Sequence, residues 1–226
     1  MKATLVYLHL ALSAIGIDGA LANASTPLAE IQLVKTNRFT QIWNDQGSGG
    51  DIDVKFWDAV KQGNLRPLGS TCNPSYAGID NGTGYAYLIG TTTAASSSAN
   101  PAVKSPTGYN KIWTDKGSGA RANGSLWRPN CPLGYVSLGD VAQNGWGEPS
   151  TSRVWCLRVD LAEEAGYGSS PIWWDKGSGS DKDVSVWEIH RSIESRSHVF
   201  GAFRANEGYG RPDISHAIVP QALESI

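Results

Sequence analysis

The sequence predicts an all-β fold, and three observations support that prediction. Short runs of β-branched and aromatic residues alternate with polar ones between clusters of Gly, Pro, Asn and Asp. Helical periodicity is weak throughout, and glycine is abundant, at 26 of 226 residues. The third observation is an internal repeat, which sets the architecture before any local pattern does.

One short motif occurs three times, as IWNDQGSG at 42–49, IWTDKGSG at 112–119 and IWWDKGSG at 172–179. In each copy a second tryptophan follows the first by 14 positions, at Trp57, Trp127 and Trp187. The repeats span about 37–90, 107–160 and 170–220. They predict one domain over 23–226, a threefold β-prism built from three four-strand repeats. A β-trefoil is the main alternative, but its repeats are usually shorter, and a propeller needs at least four blades.

Turn residues divide each repeat into four candidate strands. The first repeat predicts strands at 39–44, 54–58, 65–71 and 84–89. The second predicts them at 109–114, 124–128, 134–138 and 153–159, and the third at 171–174, 184–189, 199–204 and 214–219. A leading strand at 30–35 is expected to lie near the final one and so close the ring, which removes exposed edges.

The first 22 residues have the pattern of a secretory signal peptide. Lys2 supplies the positive start, 5–17 is mostly apolar, and Ala20-Leu21-Ala22 fits the cleavage site. The apolar stretch is shorter than the ~20 residues of a membrane span, and no later stretch is longer. We therefore expect a secreted protein or, alternatively, one in the vacuole or endomembrane lumen. Sequons at Asn23, Asn81 and Asn123 fit this expectation.

Composition and motifs argue against several functions. The net charge is −2 and no basic run is present, so we expect no nucleic-acid partner. The sequence has no H-E-x-x-H motif, no paired-cysteine metal spacing and no G-x-S-x-G elbow. We therefore expect no enzyme activity, no metal and no cofactor.

The three cysteines are an odd number for a secreted chain. We expect a Cys131–Cys156 disulfide, because both cysteines lie in the second repeat, where neighbouring strands would bring them together. Cys72 then remains a free thiol. The alternative is three buried thiols.

The repeated Asp-x-Gly-Ser-Gly segment lies between two candidate strands. Its aspartate can accept hydrogen bonds from backbone N–H groups two residues on, and its glycines permit tight turns. Asp45, Asp115 and Asp175 are therefore expected to hold three equivalent loops closed. The alternative is that acidic clusters bind a ligand such as Ca²⁺, with Asp45, Asp51 and Asp53 in the first copy and Asp175, Asp181 and Asp183 in the third. The middle copy has Arg121 and Asn123 near the corresponding positions.

The second tryptophans, Trp57, Trp127 and Trp187, have two interpretations. Strand alternation places Val54 and Phe56 on the core face and Trp57 on the opposite face, beside polar residues. An aromatic ring among polar groups is typical of a sugar-binding face. The alternative is that the rings fill the core, since tryptophan carries a large apolar surface.

The segments IWxDxGSGxxxxVxxW, PLGYVSLGDVA at 132–142 and RVWCLRV at 153–159 together resemble the vacuolar protein sorting family number sixty-two. The resemblance covers roughly 37–219 and implies a secreted or endomembrane protein. Pro132, Gly134 and Tyr135 are also similar to the β-prism domain associated with a multivesicular-body subunit. That family binds acidic membranes through a basic exposed loop, and no such basic loop is evident here.

These observations lead to a noncatalytic binding module, lectin-like and directed at carbohydrate. The alternative is a peripheral protein that binds membrane phospholipids in vacuolar sorting. A polysaccharide hydrolase would need two carboxylates across a cleft, and the repeated acids identify no such pair. A purely protein ligand is neither supported nor excluded by the sequence.

Overall fold

The computed structural model of the protein describes residues 30–79, 84–96, 98–191 and 201–221. The predicted signal peptide at 1–22 and the sequons at Asn23 and Asn81 lie outside these residues. Within them, β-strands are joined by loops and by 3-10 helices at Thr93–Ala95, Val159–Leu161 and Ile214–His216. The predicted all-β class is confirmed.

The strands fall into three successive groups along the chain. The first group is β1 (Ile31–Thr36), β2 (Phe39–Asn44), β3 (Lys55–Ala59), β4 (Arg66–Pro67), β5 (Thr71–Asn73) and β6 (Ala86–Thr91). The second is β7 (Val103–Lys104), β8 (Gly108–Thr114), β9 (Gly124–Asn130), β10 (Tyr135–Ser137), β11 (Val141–Asn144) and β12 (Cys156–Arg158). The third is β13 (Ala162–Glu164), β14 (Gly166–Tyr167), β15 (Trp173–Trp174), β16 (Val184–His190), β17 (Phe203–Glu207) and β18 (Ile218–Pro220).

In each copy, the two strands on either side of the motif loop and one later strand form an antiparallel sheet, which we call the motif sheet. These sheets have the orders β2-β3-β5, β8-β9-β11 and β15-β16-β17, with β14 also paired to β16. The other strands form separate small sheets in the orders β1-β6-β4, β10-β12-β7 and β13-β18. The four predicted strands of a repeat therefore do not form one sheet, because each repeat contributes strands to two.

In the first two copies the chain changes sheets at a Leu-Gly pair, Leu68-Gly69 and Leu138-Gly139. The strand predicted at 65–71 is interrupted there, and β4 and β5 belong to different sheets. Glycine is required because neighbouring copies touch: a Cβ on Gly69 would lie 2.8 Å from Cα of Gly139. A Cβ on Gly139 would in turn lie 2.9 Å from Cβ of Ala202, so Ala202 rather than Gly201 takes this place in the third copy.

The leading and final strands do not pair with each other. β1 pairs with β6 along its whole length, and β18 pairs with β13. The expected closure of the ring by the first and last strands is therefore wrong, because each finds a partner elsewhere.

A bulge interrupts the pairing of the first motif strand in the first two copies. Gln41 opposes Trp57 while Trp43 opposes Phe56, so Ile42 is the extra residue between the two pairs. Phe56 faces a central apolar cluster with Trp43, while Trp57 faces the other side. The structure agrees with the prediction that Phe56 and Trp57 lie on opposite faces of the strand. Both side chains are nevertheless buried.

The predicted disulfide is confirmed. Cys131, just after β9, is bonded to Cys156 of β12, with the two Cα atoms 5.7 Å apart. Cys72 is a free, half-buried thiol whose pKa is raised by burial and then by the nearby charge of Glu188.

Candidate binding face

The loop aspartates, Asp45, Asp115 and Asp175, hold the three motif loops closed. Each is buried, with 2–4% of its surface exposed. The carboxylate accepts a hydrogen bond from the backbone N–H nine residues on, from Val54 at 3.0 Å, Gly124 at 2.9 Å and Val184 at 2.8 Å. The predicted structural role is thus present, but the bond spans the whole loop rather than two residues.

The motif loops are also bonded to one another. Asp51 N–H donates to the carbonyl of Lys176, Arg121 N–H to that of Gln46, and Asp181 N–H to that of Lys116, each at 2.8 Å. Glycine is required at these contacts: Gly177 has a φ of 79°, and a Cβ there would lie 2.9 Å from Oδ1 of Asp51. The repeated glycines therefore serve contact between copies as well as turning.

The central tryptophans, Trp43, Trp113 and Trp173, continue the same pattern in the core. Their ring centroids are 5.6–6.5 Å apart, in edge-to-face arrangements. Each indole N–H donates to a backbone carbonyl of another copy, that of Ala122 at 2.7 Å, Lys182 at 2.7 Å and Ile52 at 2.9 Å, respectively. These rings are structural and are not available to a ligand.

The second tryptophans are also buried, at 5–6% exposure. Their indole N–H groups are bonded to Asn73, Ser125 and Ser185. A cation lies near each ring: Lys55 Nζ at 5.3 Å from the Trp57 centroid, Lys111 Nζ at 4.7 Å from Trp127, and the Arg211 guanidinium at 5.2 Å from Trp187. The rings do not present an open face for a sugar, so the candidate site has to be sought elsewhere on the loops.

A second aromatic set, the rim aromatics Tyr76, Trp146 and Tyr209, borders the motif loops. Each lies three residues past a strand position that opposes Lys55, Ser125 or Ser185. Tyr76 donates to Asp45 at 3.0 Å, Trp146 Nε1 to Asp115 at 2.7 Å, and the Tyr209 hydroxyl to Asp183 at 2.9 Å. Tyr76 and Tyr209 are half-buried and Trp146 is 39% exposed.

Sequence reasoning missed the rim aromatics. The available signal was spacing, since an aromatic residue follows the second tryptophan by 19 positions in the first two copies and by 22 in the third. This spacing is hard to recognise because the residue type changes from Tyr to Trp in the second copy and the interval is longer in the third.

The predicted ligand-binding acids divide into two kinds at this face. Asp45 and Asp175 are buried and bonded within the loops, whereas Asp53 and Asp183 are exposed beside a rim aromatic. Burial raises the pKa of Asp45, and the charge of Asp53 raises it further, against the hydrogen bonds from Val54 and Tyr76. The pKa of both rim tyrosines is raised by burial and by bonded aspartates, so both stay protonated donors.

Polar groups differ among the three copies. Lys176 Nζ lies over the rings of Trp174, at 4.3 Å, and Tyr209, at 4.8 Å. The middle copy carries the exposed Asn123 in place of an exposed acid. Among the described residues, no three His, Cys, Asp or Glu side chains converge as a metal site would require.

The family model described as Vacuolar protein sorting-associated protein 62 matches residues 3–218 of this chain. The chain belongs to the Vps62 family. The predicted resemblance is confirmed, since the match covers nearly the whole chain. No curated protein sequence matches it significantly.

Among solved structures, this Vps62 chain is similar to the crystal structure of GNIP1Aa from Chromobacterium piscinae. The two are 24% identical with a TM-score of 0.68, over 84% of this chain and 37% of GNIP1Aa. This chain therefore matches little more than a third of that protein. The likeness concerns the fold alone, which is all-β and compatible with a β-prism.

An open cavity of about 840 Å³ is lined by residues that include Leu133, Gly134 and Val159. Leu133 is fully exposed and Val159 is 51% exposed, and their segments are joined by a bond from Val159 N–H to the Gly134 carbonyl. Arg158 below them is bonded to Glu30 and Asp160. Within the described residues, no helix is long and apolar enough to cross a membrane.

Proposed function

We propose that this chain is a noncatalytic carbohydrate-binding module built on a threefold β-prism. The observation that carries the proposal is the recurrence of one aromatic–polar arrangement on all three motif loops. The repeated hydrogen bonds between the loops and the cyclic order of the central tryptophan contacts support the threefold architecture.

The chemistry of each arrangement suits a saccharide. A partly exposed aromatic ring can stack on the C–H face of a sugar, and neighbouring oxygens can accept its hydroxyl hydrogens. Trp146 offers the most exposed ring, while Tyr76 with Asp53 and Tyr209 with Asp183 add carboxylates. Three weak subsites on one face would strengthen binding to a repeating polysaccharide through avidity.

We propose that the protein is noncatalytic because the loop aspartates are engaged in hydrogen bonds within the fold. Each already accepts a backbone hydrogen bond and lies under its loop, so it is not free to attack or protonate a substrate. A general acid or base needs to reach the reacting atom directly or through one water.

We place the protein in the secretory pathway, either secreted or in the vacuolar or endomembrane lumen. The Cys131–Cys156 disulfide fits an oxidising compartment, and the sequon at Asn123 is on an exposed loop residue. Expression in a eukaryotic host should give a protein whose mass falls on removal of N-glycans. Intracellular, unglycosylated protein would contradict this placement.

A glycan array that includes cell-wall polysaccharides tests the carbohydrate proposal. We expect mature protein to bind, and Trp146→Ala to weaken binding by about tenfold, in line with loss of an aromatic contact. Tyr85→Ala is the control, because Tyr85 is half-buried away from the motif loops under Lys35. Absence of binding to every glycan, or equal loss in both variants, would count against the proposal.

A second candidate function is peripheral membrane binding, favoured by the exposed Leu133 and Val159. Apolar side chains at a loop tip can enter the boundary between headgroups and acyl chains. In flotation with acidic liposomes, we expect the double variant Leu133→Ser/Val159→Ser to bind less than wild type. Ile214→Ser is the control, since Ile214 is 60% exposed elsewhere. If wild type fails to float even at low salt, this alternative is excluded.

A further inference from the structure

Two arginines share one buried carboxylate between the second and third repeats. Arg128 of β9 donates to Asp140 from Nε at 3.0 Å and from Nη2 at 2.9 Å, and Arg204 of β17 donates from Nη1 at 3.0 Å. The exposed fractions of the side chains are 26% for Arg128, 2% for Arg204 and 0% for Asp140. The three groups together carry one positive charge in excess.

The excess positive charge comes from Arg204, at a position where the other two copies have uncharged residues. Arg204 of β17 opposes Trp187, and on the corresponding strands β5 and β11 the residues opposite Trp57 and Trp127 are Thr71 and Val141. The repeat architecture therefore does not need an arginine at this position. In the first copy Asp58 forms an ion pair with Arg153, so these two charges balance.

One side of Arg128 faces an open cavity of about 270 Å³, lined also by Ser215 and His216. Among the described residues, the single partner recorded for Arg128 Nη1 is His216 Nδ1, at 3.4 Å. Its other nitrogens are bonded to Asp140 and to the carbonyl of Ala205. Nη1 carries two N–H groups, so in the part of the chain that the structure describes one donor of Arg128 remains open at this cavity.

The groups around His216 determine how it responds to pH. Burial lowers its pKa, and the charges of Arg128 and Arg204 lower it further, against Asp140 and Asp213. Asp213 acts on His216 from the exposed rim of the cavity, where its carboxylate accepts hydrogen bonds from N–H and Oγ of Ser215. Partly buried charge is costly when it is not paired.

We propose that this cavity binds a phosphate group, through the free edge of Arg128 and the imidazole of His216. Arginine presents a planar set of donors that suits phosphate oxygens, and the bound anion balances the excess charge. The anion also favours the protonated form of His216, so binding strengthens as pH falls through the range in which histidine titrates.

Titration of the mature protein with inorganic phosphate, followed by calorimetry and by the melting temperature, tests the proposal. We expect saturable binding that raises the melting temperature, because a ligand that binds only the folded state stabilises it. We expect binding about tenfold weaker in Arg128→Gln, which loses a charge-assisted hydrogen bond. His216→Asn removes a group at the exposed rim, so it tests the site even if Arg128→Gln does not fold.

Arg153→Gln is the matched control, since it removes an arginine from the balanced pair with Asp58 and should leave phosphate binding unchanged. Sulfate serves as a second probe, because its charge is constant over the pH range in which His216 titrates. We expect sulfate to bind more tightly as pH falls below the ordinary histidine pKa of about 6.5, because the pKa of His216 in the free protein is lowered by burial and by the two arginines.

The source of the phosphate is distinguished by two further probes, glycerol phosphate and vesicles containing phosphatidic acid. Binding of glycerol phosphate that depends on Arg128 indicates a soluble phosphomonoester, and vesicle binding with the same dependence indicates a lipid headgroup. Either result supports the site. It is overturned if wild type shows no saturable phosphate binding, or if Arg128→Gln and His216→Asn both bind as wild type does.

Discussion

At the scale of single residues, the three motif copies differ in packing at Gly124. This position corresponds to Val54 and Val184, because each supplies the N–H that a loop aspartate accepts. The ring of Trp43 fills the space that the missing side chain leaves, since an added Cβ would lie 2.2 Å from Cε2 of Trp43. The copies are thus alike in hydrogen bonding but not in packing.

Gly124→Ala should therefore destabilise the protein by about 1–3 kcal/mol, the usual cost of overpacking a core. Denaturant unfolding measures the change. Gly147→Ala is the control, because a Cβ there meets nothing within 4 Å. We expect the control to change the free energy of unfolding by no more than about 0.5 kcal/mol. A Gly124→Ala protein as stable as the control would show that Trp43 does not occupy this space.

Asp45 should make stability depend on pH. Its folded-state pKa is raised, mainly by burial, so the folded state binds this proton more tightly than the unfolded state. The contribution is fully present below the ordinary aspartate pKa of about 3.9 and is lost as pH rises through the folded value.

Relative to Asp45→Asn, wild type should lose stability as pH rises from about 4 towards 7. Urea unfolding of both proteins across this range measures the difference. Asp53→Asn should reduce the effect, because the charge of Asp53 helps to raise the pKa of Asp45. A difference between wild type and Asp45→Asn that stays constant with pH, or increases in favour of wild type, would contradict this account.

Residue types at the candidate site were only partly predictable. The loop aspartates and glycines were identified because their types and spacing do not vary among the copies. The rim aromatics were not identified, because Tyr76, Trp146 and Tyr209 differ in type and their spacing drifts. Burial of the second tryptophans was also left open, since alternation along one strand does not reveal what covers its outer face.

At the scale of elements, strands that pair over several residues were predicted best. β3, β9 and β16 lie close to their predicted positions because turn residues and alternation bound them. The two-residue strands Arg66–Pro67 and Val103–Lys104 are too short to show any period. The change of sheet at Gly69 depends on contact with Gly139, which no local pattern contains.

The disulfide should be a major element-level source of stability. Cys131 and Cys156 are separated by 25 residues, and closing a loop of this size contributes about 3 kcal/mol in the chain-entropy model. Cys131→Ser/Cys156→Ser should lose about that much free energy of unfolding. Cys72→Ser, which keeps the bridge, should lose about 1 kcal/mol, the typical cost of a single substitution. Equal losses in the two proteins would argue against a stabilising bridge.

At the scale of the whole molecule, contacts between copies connect the chain. The central tryptophans donate in one cyclic order, first copy to second, second to third and third to first, and the motif loops donate to one another in the reverse order. The repeat itself could be read from the sequence, but this order could not, because it depends on long-range contacts. It brings three motif loops to one face and places a rim aromatic beside each.

We propose that a saccharide stacks on the ring of Trp146 and not on those of the second tryptophans. The most direct test is the set of indole N–H signals in a two-dimensional NMR spectrum, recorded while a saccharide that the protein binds is added. We predict that the Trp146 signal shifts and those of Trp57, Trp127 and Trp187 do not. A shift confined to the second tryptophans, or no saccharide that shifts any indole signal, would contradict the account.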